Sequence, residues 1–271
     1  MAFVDSGGDS FSAGDPPHGI CVAFDDNALE PNPTWTRLDD PAGYTLASAI
    51  SIKRGRDTEF DEYQIGTATV TLLDKSGILD STNTGSPLHG KLKPNLQAAI
   101  ARFNPVTGEW KTRFRGFIKA WGPYEIDAAG NIATMDMELV DCFDYIGRVE
   151  MTPADYGDPL PFGVDGDIYY RGGPRYLRQV NVRIEAILDD IGWPVTLQNI
   201  FSGNVDVQER VYARSDSPMA ALQEAADAEF PNIANLYVDK DGVLTFHGRY
   251  ARFNPTVPGY TSAFSRPAAR T

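Results

Sequence analysis

Alternating apolar and polar residues mark three segments in the first half of the chain. These segments are Thr67–Leu73, Trp110–Trp121 and Ala133–Val140. In the first of them, three threonines alternate with three apolar residues, so one side of an extended chain is polar and the other apolar. Because successive side chains of a strand point to opposite faces, this pattern predicts strands with one buried face.

Turn-forming residues separate these strands and join them into hairpins. Asn104–Gly108 lies between the run Leu96–Phe103 and the next strand, and Asp127–Asn131 precedes the strand after that. Asparagine, aspartate, proline and glycine favour tight turns. Successive hairpins at this spacing predict a mainly β fold, an antiparallel barrel or sandwich, over residues 20–150.

The pattern changes in the second half of the chain. Residues 151–180 are rich in proline, glycine and tyrosine, which predicts an extended connection. Asn181–Ile191 carries apolar residues at helical spacing, and Gly192 follows as a helix stop. Ser217 and Pro218 are a typical N-cap and first helical residue of a second helix.

A hairpin closes this second part of the chain. Two short apolar runs, Leu236–Val238 and Val243–Phe246, flank the turn sequence Asp239–Gly242. Together with the two helices, they predict a small α/β module. The expected organisation is a flexible N-terminal arm (1–19), a β domain (20–150), an extended connection (151–180), the α/β module (181–250) and a C-terminal extension (251–271).

The charge balance argues against a protein that holds nucleic acid or inserts into membranes. The 271 residues include 24 Lys and Arg but 37 Asp and Glu, giving a formal net charge of −13 without a basic run. Nucleic-acid binding needs a positive surface. The N-terminal residues lack the pattern of a signal peptide, and no run of about 18 apolar residues is present. We therefore expect folding in a cytoplasm, with Cys21 and Cys142 reduced.

No spacing of reactive residues nominates an enzyme, a metal site or a cofactor site. The three histidines and two cysteines stand in no metal-binding motif, and phosphate-binding glycine loops are absent. Asp239–Gly242 resembles the start of a calcium loop, but residue Gly248 occupies the position of the closing glutamate. A hairpin turn is therefore the preferred interpretation, and we expect neither catalysis nor a cofactor.

The most distinctive segment places cations next to carboxylates. Three basic residues between Ile50 and Arg56 are followed directly by four acidic residues before Tyr63. One interpretation is a solvated connection whose charges compensate each other. The other is a loop whose guanidinium groups pair with carboxylates of a neighbouring subunit.

This segment and those after it resemble the tail-tip and baseplate-hub proteins of actinobacteriophages, often called minor tail proteins. The strand with the I-x-I-x-R-G-R pattern, the following G-T-A-T-V-T-L-x-D strand and the S-G-x-L-D-x-x-N turn carry the resemblance. The matching segments are Ile50–Arg56, Gly66–Asp74, Ser76–Asn83, Phe114–Ile118, Ser217–Ala226 and Val238–Phe246.

The resemblance implies a structural subunit of the virion that forms a ring, a trimer or a hexamer, beneath the tail tube. Its partners would be other copies of the chain, the tail tube, the tape-measure protein and other tail-tip proteins. Alternatives are a distal tail protein between tube and hub, or a receptor- or carbohydrate-binding module; a cell-wall hydrolase is a third class. The residues expected at the subunit interface are Lys53, Arg54, Arg56, Asp57, Glu59, Asp61, Tyr156, Tyr169 and Tyr170.

Overall fold

The computed structural model describes most of the two predicted folded parts. The described residues are 18–39, 45–56, 63–151, 167–168, 179–203, 205, 207, 212–213, 216–229 and 234–249. The expected arm, except for its last two residues, and the expected C-terminal extension lie outside this set, as does nearly all of 152–178. The first strand begins at His18, two residues before the predicted start of the β domain.

Eight strands of the first part form one antiparallel sheet. They are β1 (His18–Val22), β2 (Thr36–Arg37), β3 (Thr45–Gly55), β4 (Gln64–Asp74), β5 (Gln97–Asn104), β6 (Glu109–Trp121), β7 (Glu125–Ile126) and β8 (Ala133–Val140). The strand order is β2-β1-β5-β6-β8-β4-β3, and β7 pairs with the start of β8. The predicted hairpins and the mainly antiparallel β fold are confirmed.

The apolar residues of one sheet face form the first core. Among the described residues no helix covers this face, yet its side chains are almost fully buried, so the sheet folds over on itself. A loop between β4 and β5 adds leucines at one end of the core. The core residues include Ile20, Val22, Val70, Leu72, Leu79, Leu88, Ile100, Phe114, Ile118, Met137 and Leu139.

The opposite face of the sheet is divided between the second part of the chain and solvent. The helices α1 (Cys142–Arg148), α2 (Val180–Asp190) and α3 (Pro218–Glu229) contribute to a second core. Phe117 of β6 and Val140 of β8 belong to this second core, whereas their strand neighbours belong to the first. Strand β6 is therefore buried on both faces over residues 114–118, and not on one face as its alternation predicts.

The second part is the predicted small α/β module. A short 3₁₀ turn (Val195–Leu197) leads from α2 into β10 (Gln198–Ile200), which pairs in parallel with β13 (Leu244–His247), and β12 (Asn235–Val238) pairs with β13 antiparallel. A separate pair joins β9 (Asp167–Ile168) to β11 (Tyr212–Ala213). Both predicted helices and the predicted hairpin are present at their expected positions.

Local hydrogen bonds explain where α2 ends and where α1 begins. Gly192 follows α2 with a φ of 69°, a left-handed conformation that glycine adopts without steric cost, and Trp193 N donates to Leu188 O at 2.8 Å. Helix α1 was not predicted from the sequence. It begins directly after β8, where the side chain of Asp141 accepts a hydrogen bond from Phe143 N.

No helix among the described residues is long and apolar enough to cross a membrane. No disulfide joins Cys21 to Cys142, and both side chains are buried. Burial raises the pKa of the Cys142 thiol well above its ordinary value.

Candidate subunit interface

Strand β3 forms one edge of the eight-stranded sheet. Nine of its eleven residues pair with β4 on one side, and no other described strand pairs with it. Ile50 and Ile52 lie opposite Val70 and Ala68, so they face the first core, but 37% of Ile52 is exposed. A long strand with one row of backbone groups that no described strand pairs with, and with a partly exposed apolar side chain, can pair with another chain.

The structure places the three basic residues of the charged segment in two different environments. Lys53, opposite Thr67, and Arg54 are exposed at the end of β3. Arg56 instead binds within the chain, where its Nη1 donates to Asn235 Oδ1 at 3.3 Å and its guanidinium lies 5.0 Å from the ring centre of Tyr63. Lys53 and Arg54 are thus available at the surface, whereas Arg56 contacts the α/β module.

The remaining predicted interface residues lie outside the described residues. They are Asp57, Glu59, Asp61, Tyr156, Tyr169 and Tyr170. Their place at a subunit interface therefore stays a prediction.

A series of ring contacts packs Tyr63, the residue that follows the charged segment, against the module. Tyr63 stacks on Tyr237 with ring centres 5.2 Å apart, and Tyr237 packs edge-on against His247 at 5.5 Å. His247 in turn contacts Phe201 at 4.8 Å. His247 is buried, and desolvation lowers its pKa. This histidine is therefore part of the packing.

The contact between Gly66 and Asp141 joins β4 to the start of α1. Asp141 Oδ2 accepts from Gly66 N at 2.6 Å, and Asp141 N donates to Gly66 O at 2.9 Å. A Cβ atom on residue 66 would lie 2.7 Å from Asp141 Oδ2, so this carboxylate occupies space that only glycine leaves open. Burial raises the pKa of Asp141 to about 7, although the hydrogen bonds from Gly66 and Phe143 oppose that shift.

The motif that follows β4 is a loop built around one buried carboxylate. Asp74 Oδ1 accepts from the backbone N–H groups of Ser76 and Gly77 at 2.9 Å each, and Asp74 Oδ2 accepts from Leu79 N at 2.8 Å. Tyr124 donates to the same carboxylate at 3.1 Å. The Ser76–Asn83 motif, one of those that resemble minor tail proteins, therefore forms a loop that covers one end of the first core.

Arg115 connects the outer face of β6 to the module. Its Nη2 donates to Gln97 Oε1 at 2.7 Å, and its guanidinium lies 5.4 Å from the ring centre of Trp35. Burial lowers the pKa of Arg115, while Asp241 and Asp239 of the module oppose this shift. The turn between β12 and β13 thus packs its carboxylates near a buried cation that belongs to the sheet.

The same turn forms the predicted hairpin. Asp239 Oδ1 accepts from Asp241 N at 2.8 Å and from Val243 N at 3.0 Å, so its oxygen is used to form the hairpin. The side chain of Lys240 binds Asp241. Within the described part of the chain, no group of three His, Cys, Asp or Glu residues could hold a metal ion.

A cluster of basic residues could not be predicted from the sequence, because its members are distant along the chain and meet only through strand pairing. His18 lies opposite Arg102 across β1 and β5, and Arg102 lies opposite Lys111 across β5 and β6. Arg113 follows as the extra residue of a β-bulge in β6. We call these four residues the basic patch; no basic run in the sequence signals it.

This chain is similar to several solved structures. No protein-family model and no curated protein matches this sequence significantly. The 43 kDa tail protein of prophage MuSo2 from Shewanella oneidensis aligns over 84% of this chain and 53% of its own length, with 14% identity and a TM-score of 0.46.

A second similar structure is the E. coli c3393 protein, a component of the type VI secretion system with structural similarity to the T4 bacteriophage tail proteins gp27 and gp5. It aligns over 68% of this chain and 42% of its own length, with 9% identity and a TM-score of 0.39. This chain therefore spans about half the length of the solved structures that it matches.

Proposed function

We propose that this chain is a structural subunit of a bacteriophage tail tip. Copies of it form a ring at the distal end of the tail tube, and DNA passes through that ring. The edge of β3 carries this proposal, because among the described strands it pairs with β4 alone, and the side chains of Lys53 and Arg54 are exposed near its end. Such an edge suits a sheet that a second copy continues.

The residues that resemble minor tail proteins support a structural role. Gly66 leaves room for the Asp141 carboxylate, and Asp74 organises the loop that seals the first core. These motifs build the fold and supply no reactive group. A protein whose distinctive residues maintain a scaffold acts through the surfaces that the scaffold presents.

The partners of the ring are other copies of this chain, in groups of three or six, together with the tail tube, the tape-measure protein and other tail-tip proteins. The ring is assembled in the host cytoplasm and then resides in the virion. Its acidic composition, with a net charge of −13, suits a channel that does not hold DNA. A ring between the tube and the hub is the alternative position, and it would use the same strand edge.

Electron microscopy of labelled particles tests this proposal. Tail particles that contain the chain would be decorated with a gold-conjugated antibody raised against it. We expect label at the tail tip, on the side remote from the head. Label along the tube or on the head, or particles that lack the chain, would contradict the proposal, and label between tube and tip complex would select the alternative position.

A further inference from the structure

Among the described residues, the basic patch is a positive surface with little compensating charge on an acidic protein. Arg102, Lys111 and Arg113 are exposed and His18 is half-buried. The one ion pair formed by these residues among those that the structure describes joins Lys111 to Glu109 at 3.8 Å, with both side chains exposed. An exposed pair of this kind contributes little to stability.

The arrangement of the patch costs stability in the isolated chain. Residues directly opposite each other on neighbouring strands have Cβ atoms about 5 Å apart, and like charges at such positions repel each other. Arg102 and Lys111 are such a pair. Burial and the charge of Arg102 lower the pKa of His18. An anionic group bound over the patch would remove this repulsion.

We propose that the basic patch binds the acidic segment Asp57–Glu62 of a second copy of the chain. This inference rests on the proposed ring and names the surfaces that close it. Asp57, Glu59 and Asp61 occupy alternate positions in the sequence. Side chains at alternate positions of an extended chain point the same way, so three carboxylates can face the cations together.

The strand directions place the basic patch at the end of the sheet where β3 ends and β4 begins. Strands β3 and β5 run towards this end, and β1, β4 and β6 start from it, since neighbouring strands are antiparallel. The acidic segment joins β3 to β4 at one edge of the strand order, whereas the patch lies on β1, β5 and β6. In a ring whose symmetry axis follows the strands, rotation would bring this end of one copy next to the same end of its neighbour.

Charge complementarity favours this occupant over nucleic acid. Three exposed cations make few phosphate contacts, and the rest of the chain is more negative than its net charge of −13. A short acidic segment needs only a matching number of cations. The two surfaces also belong to one chain, so every subunit of a ring would supply both.

Cysteine cross-linking between separately purified variants tests the contact. A Glu59→Cys chain and an Arg102→Cys chain with different tags are mixed and oxidised; Cys21 and Cys142 are buried and form no disulfide. We expect a cross-linked species that contains one chain of each kind. The matched control replaces Arg102→Cys by Lys119→Cys, an exposed position near the other end of β6, and should give no such species.

Three outcomes would overturn the inference. Mixed rings in native mass spectrometry without cross-links above the control would show that another surface closes the ring, and the proposed function would stand. Chains that stay monomeric at every concentration and in tail particles would contradict both proposals. Binding of a labelled DNA duplex that is lost in the R102E/K111E variant would assign the patch to nucleic acid instead.

Discussion

The junction between the sheet and the module and the edge strand β3 differ in the contacts that their cations make. At the junction, Arg115 is buried, donates to Gln97 and lies near the two carboxylates of the β12–β13 turn. At the edge, Lys53 and Arg54 are exposed and bind no described carboxylate. A buried cation needs its partners within the chain, whereas exposed cations on an edge strand can contact another chain.

The largest effect is expected from truncating the aromatic residue that crosses the junction. Phe117 is buried, stacks on Tyr145 at 4.8 Å and contacts Trp193 edge-on at 6.3 Å. Phe117→Ala should lower the free energy of unfolding by about 3–5 kcal/mol, measured by urea denaturation, because it leaves a cavity in the second core.

Ile52→Ala at the open edge is the comparison for this variant. Because more than a third of Ile52 is exposed, its loss should cost roughly 1 kcal/mol or less in the isolated chain. Equal losses at the two positions would mean that the edge is as well packed as the junction, and the contrast would not hold.

A smaller loss is expected from filling the space beside Asp141. Gly66→Ala places a methyl group against the carboxylate that caps α1, so the cap or the β4 backbone must move. We expect a loss of about 1–3 kcal/mol in the free energy of unfolding. Gly147→Ala, on the exposed side of α1 with its nearest neighbour at 3.9 Å, should be neutral or stabilising.

The pH dependence of stability should report the burial of Asp141. Its folded pKa, about 7, lies above the ordinary aspartate value of 3.8, so the folded state binds the proton more tightly than the unfolded state. The stability from this group is fully present below pH 3.8 and is lost as the pH rises towards 7. Asp39, with a pKa raised to about 6 by burial, acts in the same direction.

Urea unfolding at about pH 5 and about pH 8 measures this effect. The wild-type chain should lose stability between the two pH values, and Asp141→Asn should lose roughly 1–2 kcal/mol less over the same interval. An Asp141→Asn chain with the unaltered wild-type pH dependence would assign the titration to other groups.

The smallest effect on the isolated chain is expected from the edge cations. A Lys53→Ala and Arg54→Ala double variant should change the free energy of unfolding by about 0.5 kcal/mol or less, because both side chains are exposed. The same variant should reduce incorporation into tail particles, measured by quantitative immunoblotting. Normal incorporation would remove these two residues from the interface. Arg56→Ala is not an equivalent test, because Arg56 contacts Asn235 within the chain.

Much of the fold could be predicted because its signals are local. Strands with one buried face alternate, so β4 and β8 were identified with their correct faces. The turn at Asp239–Gly242 was identified from its residues. Strand β6 shows the limit of this approach, since Phe117 and Arg115 look like the polar side of an alternating strand until the module covers them.

The candidate interface was less predictable because it depends on register and packing. The charged segment is visible in the sequence, but the different roles of Arg54 and Arg56 follow from where Asn235 lies. The basic patch joins residue 18 to residues 102 and 111 through strand pairing alone. Helix α1 did leave a signal, a capping aspartate followed by Phe143 and Ile146, both buried and three residues apart.

Hydrogen–deuterium exchange at β3 tests the central claim most directly. In the isolated chain, the backbone amides of Thr45–Gly55 that do not pair with β4 should exchange rapidly, while those of β8, paired on both sides over Met137–Val140, should be protected. In assembled tail particles the β3 amides should become protected, because a second copy continues the sheet. Equal exchange of β3 in the isolated chain and in the particle would show that this edge stays open, and would contradict the account.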